Sequence, residues 1–596
     1  MSAPPNRLRD LACGKFATST ACDNLTPLLL VIAAFLGCTA LFFGITQIEI
    51  DIGRDFAVAD LMLNGSTLYR DVNYWYGPVA PWLHYWLFRS FGPSTTLPLL
   101  AGAAASLLIV TLTYLIARQV LPAAAAVVSA LLVLSHAVYG PQIFQYATPY
   151  TFAATYGLLF SLAALYSALR SLEERSRPFW DLASGAAAAL ALASKQEFGA
   201  IALTVAAAPL AVRFYRAPRL AFRPAFLAAG SCLAVTGAVV FFLLRAASLT
   251  EFLASYYPTR SMAAWQYFYS HALGWGNLWP AMLEAVARCL VNFGFVLAAA
   301  CLVVALWGLA SGRRAPWILV PALIGAVALF GWNLRQPRYF PILLHAVLLT
   351  LAVAGRVRGD RRKIAFLAFA AAVFQWRVLA HPRADSYALL YFAPSLVVYM
   401  YLCYEVAAAR LARFFPRRRL EAALSGVFLV CFLVPELAGK NARWAQSSQP
   451  VKTPRGELRL PPEDAAKAKV VLQEIERRAG PGGHVLLAPE GAMYYFLAGR
   501  TPPSRHLMYS YGNVLDGAPE REEIRRLEAA RPRLIVIDEF PQELYFPGPV
   551  NTFGRAYNAA LGGWIEQNYE EVRAIPYKDR QVRFLVPRPL LAAKND

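Results

Sequence analysis

Charge is scarce in this sequence, and acid is scarcer than base. Only 16% of its 596 residues are charged, with 37 Asp and Glu against 57 Lys and Arg. A soluble domain carries about a quarter charged residues, so this composition excludes an ordinary soluble enzyme. Cysteine is also sparse: Cys13, Cys22, Cys38, Cys232, Cys289, Cys301, Cys403 and Cys431 show no CxxC spacing, and none lies beyond residue 440. A disulfide framework in the C-terminal region is thereby excluded. The seven His are dispersed, with no HExxH or His-Cys cluster, so zinc catalysis has no sequence support. GxGxxG and P-loop signatures are missing, which speaks against a nucleotide donor held on those scaffolds.

What the chain has instead is apolar length. It is 58% hydrophobic, with a mean hydropathy of +0.42. A membrane span needs about 20 predominantly apolar residues. Candidates lie near 27–47, 97–117, 121–139, 150–169, 181–195, 199–212, 225–247, 286–309, 316–333, 339–355, 364–380, 387–408 and 421–438. The fold class expected is a polytopic α-helical membrane protein of about 13 transmembrane helices. The first span is full length and lacks a small-residue cleavage site, so it reads as a retained helix and not a removed signal peptide.

The formal charge of +20 invites a nucleic-acid partner, but its placement argues against one. The Arg clusters "RSLEERSRP", "RFYRAPRLAFRP", "SGRRAP", "GRVRGDRRK" and "RLARFFPRRRLE" fall between spans on one side, where topology signals belong. The positive-inside pattern predicts a cytoplasmic segment 1–26, a membrane part 27–439 with large outer loops 48–96 and 248–285, and residues 440–596 outside. The chain is expected in a cell inner membrane with a periplasmic C-terminal region. That region reads as a small α/β domain. "PPEDAAKAKVVLQEIERRAG" and "PEREEIRRLEAARP" have helical signals, and "HVLLAP" and "RLIVIDE" are short buried-strand runs. Asp538 and Glu539 in "VIDEF" read as a strand end.

Carboxylates gather where a chain leaving the bilayer has no structural need of them. "TQIEIDIGRDFAVADLMLNG" sets Glu49, Asp51, Asp55 and Asp60 just after the first span. Asp51 reads either as an N-cap or as a general base for an acceptor hydroxyl or amine. Asp55 could serve the positive end of the same helix. Helical stretches are expected at 52–64 and 78–91, the second rich in Trp, Tyr and Phe suited to the headgroup level. "FQYATPYTF" offers Tyr146 and Tyr150 for sugar stacking or as interface anchors.

The run "DIGRDFAVADLMLNG" with "LYRDVNYWYGPVAPWLHYWLFRSFG" resembles the first outer loop of the GT-C glycosyltransferases. These polytopic enzymes take sugars from polyprenyl-phosphate carriers, and they include the aminoarabinose transferases and protein O-mannosyltransferases. The resemblance implies a GT-C-like fold and a polyprenyl-phosphate-linked sugar donor. It also implies a glycan, lipid or protein acceptor and a site at the bilayer. Asp51 matches the family's catalytic Asp. Ile52 replaces the Glu that follows it there, leaving Glu49 and Asp55 as supporting or alternative carboxylates and any divalent metal unassigned. Where the aminoarabinose transferases place a Lys before a Pro pair, this chain reads "YWYGPVAP", with Tyr76 a substrate-binding candidate. "ALASKQEFGA" resembles their carrier-phosphate turn, which implies substrate contacts from Lys195 and Glu197. "RQPRYFPILL" matches an Arg-Tyr-x-x-Pro element, implying Arg338 and Tyr339, with Arg335 as a substitute. Arg383 and Asp385 in "HPRADSY" are further outer-side candidates or a local ion pair. "APEGAMYYFLAGRTPPSR" resembles a tail of bacterial members. Two other classes stand beside an enzyme: a lipid-linked saccharide transporter or flippase, which predicts charges within spans and an inverted repeat, neither found by this reading, and a non-catalytic assembly subunit.

Overall fold

The computed structural model describes residues 21–48, 51–173, 176–216, 218–256, 266–272, 274–309, 361–379, 387–510, 515, 517–539, 543 and 552–588. Among these, eight helices are long and apolar enough to cross a membrane: 25–42, 96–117, 152–171, 196–215, 221–244, 275–308, 387–411 and 417–447. Three further expected spans are shorter helices. They are Ala123–Val138, Pro178–Ser194 with 17 residues and Arg361–Phe374 with 14. The candidates at 316–333 and 339–355 lie outside the described residues.

The elements that position the site come first. Helix α1 (Ala21–Phe42) leads into a loop that carries α2 (Ile52–Leu63) and α3 (Val79–Phe91). Then follow α4 (Thr96–Ala117), α5 (Ala123–Val133), α6 (Phe152–Ser171), α7 (Pro178–Ser194), α8 (Gln196–Arg216) and α9 (Pro218–Leu244). Both loop helices expected at 52–64 and 78–91 are present. Beyond Arg219 and Arg223, helix α9 is mostly apolar and leaves Phe226, Leu233 and Phe241 exposed. Such an apolar exposed face suits a lipid-facing position.

The two ends of the bundle are told apart by the residues that meet there. At one end Lys363 donates to Gln119 at 2.8 Å and to Glu173 at 3.0 Å, and Arg213 pairs with Asp181. The other end, one helix length away, is where α6 and α8 begin. At 1.5 Å per residue the 20 residues of α6 span roughly 30 Å.

Residues 449–588 build two small sheets. Strands β1 (Gln449–Thr453) and β2 (Gly456–Leu460) form a hairpin. Strands β3 (Val485–Ala488), β4 (Leu534–Asp538), β5 (Tyr569–Tyr577) and β6 (Arg580–Pro587) form a sheet in the order β3-β4-β6-β5, parallel only between β3 and β4. The expected helices appear at Pro462–Glu474, closed by Gly480 at φ 63° after one further turn, and at Ala518–Ala530. Asp538 ends β4 and accepts from Lys467 at 2.9 Å and Arg580 at 2.6 Å. It is a structural ion pair at a strand end, as the sequence suggested.

This region packs directly on α2 and α3. Phe496 lies edge-on to Phe56 at 5.2 Å and stacks with Phe88 at 5.5 Å. Arg455 pairs with Asp60 at 2.6 Å. The Thr46 amide donates to the Arg459 carbonyl, and the Arg459 amide to Gly44. One apolar core thus runs from the loop through Phe56 and Phe88 to Val451, Leu487 and Phe584. The first loop and the C-terminal region share one end of the bundle.

Candidate active site

Asp51 precedes α2 with helical backbone angles, φ −48° and ψ −20°, and its side chain caps nothing. A capping Asp takes extended angles and accepts from the next turn's amides. Here Oδ2 accepts from Arg54 Nη2 at 3.1 Å and from the Tyr76 hydroxyl at 3.1 Å. The cap reading therefore fails for Asp51, which is buried and turned toward the loop's aromatic segment. Arg54 lies in a box of Tyr74, Trp75 and Tyr76, its guanidinium carbon 4.5 Å from the Trp75 ring. Burial works against its charge, but Asp51, Tyr76 and Asp55 hold the guanidinium above its ordinary value.

Asp55 has a different task. It is fully buried. Oδ2 accepts from the Phe152 amide at 2.5 Å and the Thr151 hydroxyl at 2.9 Å, and Oδ1 accepts from the Tyr74 hydroxyl at 2.8 Å. The carboxylate serves the N-terminus of α6, not that of its own helix. Burial pushes the carboxyl up to about 6, outweighing Arg54 and the three donors, which pull it down.

The second half of the site forms between α7 and α8. Lys195 breaks the helical run with extended angles, φ −156° and ψ 135°. Its ammonium donates to Tyr150, to Glu197 Oε1 at 2.6 Å and to the Tyr387 hydroxyl at 3.2 Å. Glu197 Oε1 also accepts from Tyr391 at 2.6 Å, and Oε2 accepts from Arg377. Arg377 donates further to Tyr387 at 2.7 Å.

Tyr76 joins the halves. Lys195 Nζ lies 5.1 Å from its ring centroid, within cation–π range. The docking of the loop against α7 makes this junction. The Gly77 amide donates to the Ser194 carbonyl at 3.0 Å, and Gln196 Nε2 donates to the Trp75 carbonyl at 2.9 Å. A Cβ at Gly77 would collide with the Ala193 carbonyl oxygen, so the "YWYGPVAP" turn needs glycine for a close backbone approach. The loop has no Lys before its Pro, yet an ammonium reaches it from Lys195.

Of the predicted residues, the structure brings together Asp51, Tyr76, Lys195 and Glu197. Glu49, Arg335, Arg338, Tyr339, Arg383 and Asp385 lie outside the described residues. Tyr150 is in the site. Tyr146 is not placed for stacking or for anchoring at an interface, because it is buried and donates to the Leu389 carbonyl at 2.6 Å. Sequence reasoning missed Arg377, Tyr387 and Tyr391. Arg377 falls inside the candidate span 364–380, whose C-terminal bound needs correction. The helix ends at Phe374, and Arg377 sits in the short turn Trp376–Val378. An ionisable residue in an apolar run is itself a site signal. Among the described residues no three His, Cys, Asp or Glu gather to hold a metal ion. Arg54 takes the place beside Asp51 that a cation would fill, so the described residues do not fit a metal site and no step is derived through one.

No curated protein matches the chain in sequence. Among solved structures, ArnT from Cupriavidus metallidurans bound to undecaprenyl phosphate is 15% identical. That match covers 94% of this chain and 97% of the other, with a TM-score of 0.44. The archaeal oligosaccharyltransferase AglB from Archaeoglobus fulgidus, in complex with an inhibitory peptide and a dolichol-phosphate, is 14% identical. It covers 87% of this chain and 70% of the other, with a TM-score of 0.49. Residues 76–243, the stretch from Tyr76 through Tyr150 and Lys195 to the end of α9, match the family described as dolichyl-phosphate-mannose-protein mannosyltransferase, in keeping with the chain's resemblance to the GT-C glycosyltransferases.

Proposed function

We propose that this protein is a membrane glycosyltransferase that moves a sugar from a polyprenyl-phosphate carrier to an envelope glycan, lipid or protein acceptor on the outer face of the membrane. The observation that carries the reading is the pairing of one buried carboxylate, Asp51, with a cage of two cations, Lys195 and Arg377, through the single side chain of Tyr76. The family match over residues 76–243 supports it.

Asp51 takes the proton from the acceptor hydroxyl or amine as that atom attacks the anomeric carbon. The bond from that carbon to the carrier's phosphate oxygen breaks, and the oxygen keeps the electron pair. Lys195 and Arg377 meet the charge that develops on the departing phosphate. An ammonium supplies a compact counter-charge and a guanidinium a directional one. The tyrosines add hydroxyl donors. Arg54 fixes the rotamer of Asp51 so that its free geometry does not have to be ordered during the reaction.

Location on the outer face is supported by the Arg-rich loops gathering at one bundle end. The Lys363–Glu173 and Arg213–Asp181 contacts mark the end that carries the Arg-rich loops, and the site lies at the other. On this reading the C-terminal α/β region is periplasmic. A C-terminal alkaline phosphatase fusion should be active, and a fusion active only in the cytoplasmic orientation contradicts it. For the chemistry itself, purified protein given a polyprenyl-phosphate sugar should release polyprenyl phosphate in an acceptor-dependent way; no release from any such donor contradicts the reading.

A further inference from the structure

Four donors converge on the carboxylate of Glu197. Oε1 accepts from Lys195 at 2.6 Å, from Tyr391 at 2.6 Å and from Tyr387 at 3.3 Å, while Oε2 accepts from Arg377. An ammonium, a guanidinium and hydroxyls are the donor set that holds a phosphate. A carboxylate standing among them lowers the attraction the cage has for any anion. Its presence calls for a reason beyond filling space.

The reason lies in the charges of donor and product. A carrier phosphate joined to a sugar is a diester with a single negative charge. Once the sugar has left, it is a monoester, carrying about −1.5 to −2 at pH 7. Lys195 and Arg377 bring two positive charges and Glu197 removes one. Asp51 and Arg54 cancel each other at 3.1 Å. Counted over Lys195, Arg377 and Glu197 alone, the cage therefore carries one net positive charge. That charge balances the diester and falls short of the monoester.

We propose that Glu197 sets the preference of the cage for donor over spent carrier, so that the product is released instead of trapped. This rests on the function proposed above. It differs from a purely structural role for Glu197, in which the carboxylate only holds Lys195 and Arg377 in place. The two roles predict opposite signs when the charge alone is removed. Gln fills the same space and still accepts hydrogen bonds.

The test measures binding of undecaprenyl phosphate and of its methyl diester to the full-length protein in detergent at pH 8, where the monoester is a dianion. For wild type the ratio of the two dissociation constants, monoester over diester, defines the preference. In Glu197→Gln the monoester should bind more tightly, and the ratio should fall about tenfold to a hundredfold, the size of one charge-assisted phosphate contact. Glu197→Asp, which keeps the charge, should restore most of the wild-type ratio. Glu197→Ala removes the same charge and should also lower the ratio, which decides the matter even if Glu197→Gln does not fold. Equal weakening of both probes in Glu197→Gln, or an unchanged ratio in whichever charge-removing variant of Glu197 folds, overturns the inference and leaves the glycosyltransferase reading standing. Failure of the wild type to bind either probe overturns that reading, and the inference with it.

Discussion

The Tyr76 hydroxyl donates to Asp51 Oδ2 at 3.1 Å. The same ring presents its face to the Lys195 ammonium at 5.1 Å. One side chain therefore touches both the proposed base and the proposed phosphate cage, through two separable interactions. Tyr76→Phe removes the first and keeps the second. It should lower kcat about threefold to thirtyfold, the cost of a hydrogen bond to a charged group or somewhat less, with the donor KM unchanged. A raised KM at constant kcat would mean that the hydroxyl serves donor binding instead.

Lys195 and Arg377 share Glu197 and Tyr387. Each change to Ala should weaken donor use about tenfold to a hundredfold. The double variant should fall short of the product of the two losses, because the residues belong to one network. Lys195→Arg should rescue only in part, since a planar fork does not replace a compact ammonium. Unchanged donor kinetics in both Ala variants would remove the cage from the account.

Asp55 makes the folded state sensitive to pH. Burial raises its carboxyl from 3.8 to about 6, so the folded protein holds that proton more tightly than the unfolded chain. The contribution to stability is present in full below the ordinary carboxylate value and is lost as pH rises through about 6. Asn at this position can still accept from Phe152 and Thr151 but does not titrate. The thermal midpoint of wild type minus that of Asp55→Asn, in detergent, should therefore fall between about pH 4 and pH 7 and level off above. A difference that rises over this range would show that the three donors outweigh burial.

Much of the fold is legible in the sequence because a bilayer imposes a length on apolar runs and a sign on the loops between them. The helices of the first loop were readable from their period, and Asp51 and Lys195 from their place beside spans. What the sequence hides is the meeting of residues far apart in the chain. Arg377 donates to Glu197, 180 positions away. Met508 Sδ accepts from Arg54, 454 positions away. Neither spacing leaves a local pattern. The packing of the C-terminal region on α2 is hidden in the same way. A Cβ at Gly53 would strike the Met493 backbone, so this glycine serves a long-range approach that looks locally like a weak point in a helix. Asp51 itself shows how a local rule misleads: Asp before a helical run is a capping signal, and only the position of Arg54 and Tyr76 reveals that the side chain points elsewhere.

The most direct measurement compares sugar transfer from a polyprenyl-phosphate donor by wild type and Asp51→Asn, both purified and checked for folding. Asn keeps the size of the side chain and its contacts to Arg54 and Tyr76 but cannot take a proton. Loss of a general base costs about 10²–10⁴ in rate. The account predicts a loss of that size in Asp51→Asn, with binding of undecaprenyl phosphate retained. Transfer by Asp51→Asn at the wild-type rate would contradict it.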